Sequence, residues 1–333
     1  MMAPPSADAR RIIEHLTGRG LLTDGDEVAV APLTGGVSND VFAVTGPGID
    51  LVVKRALPVL RVERHWQADT GRIRTEAQAL RLAHSHTPDA VPAVVDFWDG
   101  YLAITRAPRD WTNWKDDLLS GVVDPGVAHR LGTVLGTWQS RTAGDEALTA
   151  DFGDRTVFAQ LRADPFHGEV AQRHPDLAPV VEATVTAMLG ARDCLVHGDF
   201  SPKNMLVSGR RVWVLDWEVA HVGDATFDPA FLLTHLLLKS VHDPASAGAH
   251  QELAEVFLGA VAESARGRIV HDPGQLVRQV GCLLLARVDG KSPAGYLTEA
   301  ERPRVRALGR RLLTEPVPDE RIDGVLYAWE ILT

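Results

Sequence analysis

Along the first hundred residues the chain alternates apolar and polar positions in short runs; beyond Pro108 it changes to apolar residues three and four apart. Residues 7–18 put Ile12, Ile13 and Leu16 on one side and predict an amphipathic helix. Strand-like runs follow at 28–33, 41–44 and 49–54, separated by T-G-G-V-S-N-D and T-G-P-G, which carry turn chemistry. A helix is predicted over 69–84, through Ile73, Ala77, Leu80 and Leu82, and two further strands over 91–97 and 101–105, joined by Asp99–Gly100. Helical periodicity then governs 125–142, 155–162, 178–190, 226–241, 246–265, 273–287 and 300–314. The interruption is 194–217, which holds short β-like pieces. T-R-A-P-R-D at 105–110 ends strand character with a proline and marks a boundary. The expected architecture is α+β in two lobes. Residues 1–106 form a small antiparallel sheet with one main helix, preceded by a short helix, and residues 107–333 form a larger, mainly helical lobe.

Composition changes this picture little. At 45% hydrophobic and 23% charged, the 333 residues have enough apolar material for a large core. A net charge of −10 argues against nucleic acid, whose binding needs clustered Lys and Arg. The same balance leans toward a cationic small-molecule partner. Cys194 and Cys282 stand alone in apolar surroundings and read as reduced core thiols, without zinc-ligand spacing. No apolar run approaches a membrane span, and the opening M-M-A-P-P-S-A-D has no signal-peptide character. Cytoplasmic localisation without membrane contact is the expectation; the oligomeric state is not legible.

The chemistry concentrates in L-V-H-G-D-F-S-P-K-N-M-L-V at 195–207 and V-W-V-L-D-W-E at 212–218. Gly198 lets the backbone turn sharply and present Asp199. Asn204, five residues on, can return to the same point, and a short strand delivers Asp216. Together they offer hard oxygen ligands for Mg²⁺ and one spare carboxylate able to accept a hydroxyl proton. The alternative reading is a turn aspartate and a helix cap.

H-G-D-F-S-P-K-N followed by L-D-W-E resembles the catalytic core of the aminoglycoside phosphotransferase / choline kinase-like family, small-molecule relatives of the protein kinases. The resemblance implies a bilobal protein-kinase-like fold and an ATP- and Mg²⁺-dependent transfer to a hydroxyl of a small molecule: an aminoglycoside, amino alcohol or sugar. It implies Asp199 as catalytic base, Asn204 and Asp216 as magnesium ligands, His197 as a brace of the loop and Asp228 as a structural support beneath it. In the first lobe, Gly35, Gly36, Ser38 and Asn39 resemble the loop that covers the phosphates. Lys54 resembles the phosphate-binding lysine, held by Glu76 in R-T-E-A-Q-A-L; Glu63 is the competing partner. Ile104 to Ala107, with Thr105 and Ala107 supplying backbone groups, resembles the hinge that meets the purine.

Two departures stand out. The lysine that protein kinases place two residues after the catalytic Asp is replaced by Ser201, and Lys203 lies at plus four without an assigned role. The metal motif reads D-W-E, so Glu218 is either an outer magnesium ligand or a surface carboxylate. Candidates for the acceptor pocket are Asp164, His167, Trp111, Trp114 and the charged trio Arg287, Asp289 and Lys291. His235 reads as a core histidine. The competing functional readings are a degenerate nucleotide-binding regulatory module and, within the class, a metabolic sugar or choline-type kinase instead of a resistance enzyme. A protein kinase is disfavoured by the missing G-x-G-x-x-G, H-R-D and A-P-E segments.

Overall fold

The computed structural model describes residues 6–33, 36–61, 66–316 and 322–332. Its first lobe is a five-stranded antiparallel sheet in the order β1-β2-β3-β5-β4. The strands are β1 (Ala29–Pro32), β2 (Asn39–Gly46), β3 (Ile49–Ala56), β4 (Val94–Trp98) and β5 (Tyr101–Thr105). Strand alternation decides what each face meets. Leu51 and Val53 of β3, with Tyr101 and Ala103 of β5, pack against Ile12 and Leu16 of the helix Ala7–Gly18. Ala56, Leu102 and Ile104 turn to the other face, against Ile73, Ala77 and Leu80 of the helix Arg72–His86. Lys54 shares this second face with Val52, so period two alone carries its ammonium toward the second lobe. Ser6 starts the N-terminal helix by accepting from Ala9 N at 3.1 Å.

The second lobe is built on the helix Phe227–His242, which is buried almost throughout, with the helices Ala247–Ala265 and Pro273–Asp289 against it. The long helix Pro125–Thr142 packs on Ala247–Ala265 at very close range: a Cβ added to Gly132 would lie 2.4 Å from the Phe257 carbonyl oxygen. Short strands carry the segment 194–217. The strand β6 (Thr112–Asn113) pairs β8 (Met205–Ser208), which pairs β9 (Arg211–Val214); β7 (Cys194–Val196) pairs β10 (His221–Gly223). The loop 197–204 therefore leaves a two-stranded sheet and enters the central strand of a three-stranded one.

Most expected elements are present, and the predicted bounds 125–142 and 178–190 coincide with the helices found. The helix expected over 155–162 is different. A single α-turn at Thr156–Phe158 passes into a π-helix over Ala159–Gly168. Pro165 lies inside it, has no N–H to give to an i−4 carbonyl, and so cannot continue an α-helix. The strand expected from 91 begins only at Val94, beyond Pro92. The pair β6 and the short helix Trp114–Leu119, capped by Asn113 accepting from Lys115 N, had no counterpart in the sequence reading.

Candidate active site

A cleft of about 810 Å³ runs between the sheet of the first lobe and the loop 197–204 of the second. Lys54, Glu76, Asp199, Asn204, Asp216 and Glu218 all line it, as do Gly36, Ser38, Asn39, Thr105 and Ala107. Gly35 and Glu63 lie outside the described residues.

The lysine sits at the centre of a three-membered ion pair. Its Nζ donates to Glu76 Oε1 at 2.5 Å and to Asp216 Oδ1 at 2.8 Å. Burial alone would lower the pKa of this ammonium, but the carboxylates of Asp216, Glu76 and Glu218 raise it well above its usual value. It is a fixed positive charge. Burial pushes the Glu76 carboxyl upward, against the pull of Lys54, and its Oε2 is buried with no hydrogen-bond partner. Asp216 moves downward despite burial, because Lys54 and Lys203 favour its charged form. Its backbone is left-handed at φ +69°, a costly conformation for a residue with a side chain. The two preceding backbone positions are held: Leu215 N donates to Asn204 O, and Val214 N to Ala90 O.

Around Asp199 the geometry is equally determined. Gly198 has φ +81°, and a Cβ there would meet Val219 Cγ2 at 2.8 Å and Val219 O at 2.9 Å, so only glycine permits the turn. The Asp228 carboxylate accepts the backbone N–H groups of His197, at 2.7 Å, and Gly198, at 2.9 Å. His197 is kept neutral by burial, its pKa lowered to about 4. Its Nδ1 accepts from Asp199 N, so Nε2 carries the proton and donates to Leu215 O at 3.0 Å. One imidazole thus ties the loop of Asp199 to the segment of Asp216. Asn204 Nδ2 donates to Asp199 O at 3.0 Å, which leaves its amide oxygen as the free donor atom.

The carboxylate of Asp199 is met from two sides at the same oxygen. Arg162 Nη2 lies 2.7 Å and Lys203 Nζ 2.9 Å from Oδ2. Burial raises this carboxyl, and the two cations more than offset it, holding it below its usual pKa. Arg162 comes from the π-helix and also donates to Gly198 O at 2.9 Å. Its guanidinium lies over the rings of Phe166 and Phe231.

Glu218 is neither solvated nor free. Its Oε2 accepts from Arg72 Nε and from Asn39 Nδ2, both at 3.0 Å. Arg72 is fully buried and reaches further, donating to Ser38 O, Leu57 O, Ala68 O and Asp69 O. Ser38 therefore meets the buried arginine through its carbonyl and Asn39 meets it only by way of Glu218, and Asn39 Nδ2 also donates to Ser38 Oγ.

The acceptor candidates divide. Of the trio, Arg287 lines the cleft; Asp289 pairs with Arg306 and His174, and Lys291 reaches toward Glu169 at 3.8 Å. Asp164 is exposed, and His167 is a core residue bonded to Gln279. Trp111 lines the cleft beside Trp213, whereas Trp114 is packed in the core. His235, read as a core histidine, is buried but borders the cleft. Sequence reasoning missed Arg72, Arg162, Phe166 and Phe231 altogether. One signal was present in the helix Phe227–His242: Phe231, His235 and Lys239 are four apart, so two polar residues share a stripe with Phe231 on a largely apolar helix.

Comparison with known proteins agrees with this geometry. The family profile described as "APH: Phosphotransferase enzyme family" matches residues 29–268. None of the curated proteins is a significant match. Among solved structures, the amicoumacin kinase hAmiN, in complex with AMP-PNP, Ca²⁺ and Ami, superposes with TM-score 0.57 at 13% identity over 85% of this chain and 87% of its own. A candidate fructosamine-3-kinase of Thermobifida fusca gives 0.51 at 21% identity over 90% and 97%. The ternary complex of streptomycin and ATP with APH(2'')-IIa gives 0.50 at 15% over 97% and 99%. At these identities the structures show a shared fold and no more. With most of its length under the family profile and this cleft between its lobes, the chain belongs to the APH phosphotransferase enzyme family and has the protein-kinase-like fold.

Proposed function

We propose that the protein transfers the γ-phosphoryl group of ATP to a hydroxyl of a small molecule, with Asp199 as the base, and that its lobes divide near residue 106. The observation that carries this reading is the convergence of Lys54, Glu76 and Asp216 in one ion-pair cluster, on a cleft that Asp199 and Asn204 also line. At the other end of the cleft Val41, Val52, Ile104, Leu206 and Leu215 form an apolar slot suited to a purine. It lies beside the hinge, where Ala107 N has no hydrogen-bond partner among the described residues.

The residues present fit a divalent ion. Asp216 and Asn204 offer hard oxygens, and no group of three His, Cys, Asp or Glu capable of enclosing a metal occurs among the described residues. That suits Mg²⁺, which keeps water and phosphate oxygens as its remaining ligands. When bound, the ion would neutralise phosphate charge. Glu218 is engaged with Arg72 and Asn39, and acts as a strut for the phosphate-covering loop instead of a ligand.

In the reaction the acceptor oxygen forms a bond to the γ-phosphorus while the bond from that phosphorus to the β,γ-bridging oxygen breaks. ADP leaves with the electron pair, and the hydroxyl proton passes to Asp199. Arg162 and Lys203 hold Oδ2, so Oδ1 is the oxygen that orients the hydroxyl. Lys54, kept charged by its carboxylates, steadies the phosphates from the first lobe. Replacement Asp199→Asn is expected to abolish transfer in an ADP-release assay while ADP still binds by calorimetry. Undiminished turnover removes Asp199 from the role. Should steady ATP binding be found with no transfer to any alcohol, the regulatory-module reading takes its place.

A further inference from the structure

The cleft has two electrostatically different ends. Each carboxylate that lines it already has a cation: Glu76 and Asp216 share Lys54, Glu218 has Arg72, and Asp199 has both Arg162 and Lys203. At the end beyond Asp199 one cation is not matched in return. Arg287 borders that end, and its field reaches both Asp199 and Arg162. Its Nη1 donates to Ser292 O and Oγ, both neutral, and its Nε is buried without any partner. Burial lowers its pKa; Tyr296 and Asp199 act the other way without offsetting it, and no carboxylate forms an ion pair with it among the described residues.

Behind it lies Lys239, only 1% exposed. Its Nζ is 3.5 Å from the His235 carbonyl oxygen and 5.5 Å from the ring centre of Tyr296. Burial, then Lys115 and Arg287, press its pKa down to about 7; the one carboxylate acting on it is the exposed Asp116. His235, between Lys239 and the cleft, is likewise held neutral by burial and by Arg287, Lys239, Lys203 and Lys115. Arg162, Lys203 and Arg287 therefore face the space next to Asp199; the carboxylates of Asp199 and Asp216 answer the first two, and Arg287 has none in contact among the described residues. A half-buried guanidinium whose Nε is buried without an anion is costly. A polyamine there would add positive charge to an existing excess.

We propose that the acceptor is an anionic alcohol, bearing a carboxylate or phosphate group that docks on Arg287 while its hydroxyl lies on Asp199. The planar guanidinium fork suits either oxyanion, and Ser292 fixes its orientation. Phe166 and Phe231 form an apolar wall for the carbon skeleton. The proposal rests on Asp199 being the base.

The test is an ATP-dependent transfer assay on charge-matched acceptors. One arm holds glycerate and gluconate, a second ribose 5-phosphate and glucose 6-phosphate, a third the neutral glycerol, ribose and glucose, and a fourth the cationic kanamycin, choline and ethanolamine. Transfer is expected in the first or second arm, and which one tells carboxylate from phosphate. Arg287→Met is expected to lower kcat/KM for that acceptor about 100-fold, chiefly through KM, with Arg287→Lys recovering part of it. Unchanged ADP affinity and thermal midpoint show that the variants fold. A cationic or neutral acceptor preferred over its anionic counterpart, silence of both anionic arms, or an unchanged KM in Arg287→Met overturns the proposal. Failure of the base reading is seen separately, as turnover surviving Asp199→Asn.

Discussion

The most informative perturbation avoids the acceptor altogether and concerns Arg72. Its guanidinium is fully buried at the start of the helix Arg72–His86 and touches three parts of the site at once. Nε meets Glu218, Nη2 meets Ser38 O at 2.5 Å and Leu57 O at 2.7 Å, and Nη1 meets Asp69 O at 2.8 Å and Ala68 O at 3.3 Å. Replacement Arg72→Met keeps the aliphatic stem and removes every one of these donors. Glu218 is then a buried carboxylate whose remaining partner on Oε2 is the Asn39 amide. Breaking a buried ion pair from one side typically costs about 3–5 kcal/mol, because the other charge stays buried and uncompensated. The orphaned carbonyls add to this where water cannot reach them. The net stability of a folded domain is only about 5–15 kcal/mol, so the loss is a large fraction of it.

Thermal unfolding by circular dichroism is expected to show a fall of about 5–10 °C for Arg72→Met. ADP titration by calorimetry is expected to show weaker binding, since Ser38 O loses its donor and Glu218, the partner of Asn39, loses its counter-charge, beside the loop proposed to cover the phosphates. The decisive arm is the double-mutant cycle. Arg72→Met combined with Glu218→Gln removes the orphan charge, and the amide can still face Asn39. The pair is expected to be less destabilised than the sum of the single variants by about 1–3 kcal/mol. Strict additivity, or an Arg72→Met variant as stable and as tight for ADP as the parent, refutes the account of this cluster.

Other outcomes follow from the same geometry. Gly198→Ala places a Cβ on Val219 in a left-handed backbone and is expected to lower stability by about 1–3 kcal/mol, measured from urea midpoints. Lys54→Met removes the counter-charge of both Glu76 and Asp216 and is expected to cost nucleotide affinity; Lys54→Arg does not restore it, because the fork does not fit where one ammonium meets two carboxylates. Arg162→Met takes one of two cations from Asp199, so the acid limb of the pH–rate profile is expected to move up by about 1–3 pH units, and an unmoved limb counts against the pairing. His167, His197, His250 and His271 have pKa values lowered to about 4 by burial, so between pH 6.5 and 4 the unfolded chain binds more protons there than the folded one. Burial of Glu76 and Asp228 opposes this with the reverse sign, but the imidazoles are more numerous, and stability to urea is expected to be full above pH 6.5 and to fall as pH drops toward 4. A midpoint that rises on acidification contradicts that balance.

The parts of the site legible in the sequence are those that strands and tight turns deliver. Lys54 is fixed by period two in β3, Asp199 by the glycine before it, Asn204 by a five-residue loop and Asp216 by the end of β9. In each case a short local pattern sets the direction of one side chain. Arg72 and Arg162 had no such pattern. Arg72 stands beside Ile73 on a helix, where an arginine normally reads as solvent-facing, and only the approach of Glu218 from 146 residues away buries it. Arg162 depends on a π-helix, whose wider turn re-aims a residue that a 3.6 period places elsewhere. Lys203 was left unassigned because four residues within an irregular loop define no direction, whereas the turn Pro202–Asn204 brings it onto Asp199.

Net charge and the charges inside the cleft point in different directions. A balance of −10 over the chain suggested a cationic partner, yet the carboxylates that produce it lie mostly on a solvated surface. At physiological ionic strength, fields from exposed charges fade over about 8 Å. Inside the cleft the low dielectric makes each nearby buried charge count for much more. What an acceptor meets beside Asp199 is set by Arg162, Lys203 and Arg287, together with Lys239 behind them. The sum over the sequence governs how the molecule repels its neighbours; on the reading proposed above, the sign of the acceptor follows from a few side chains that contribute almost nothing to that sum.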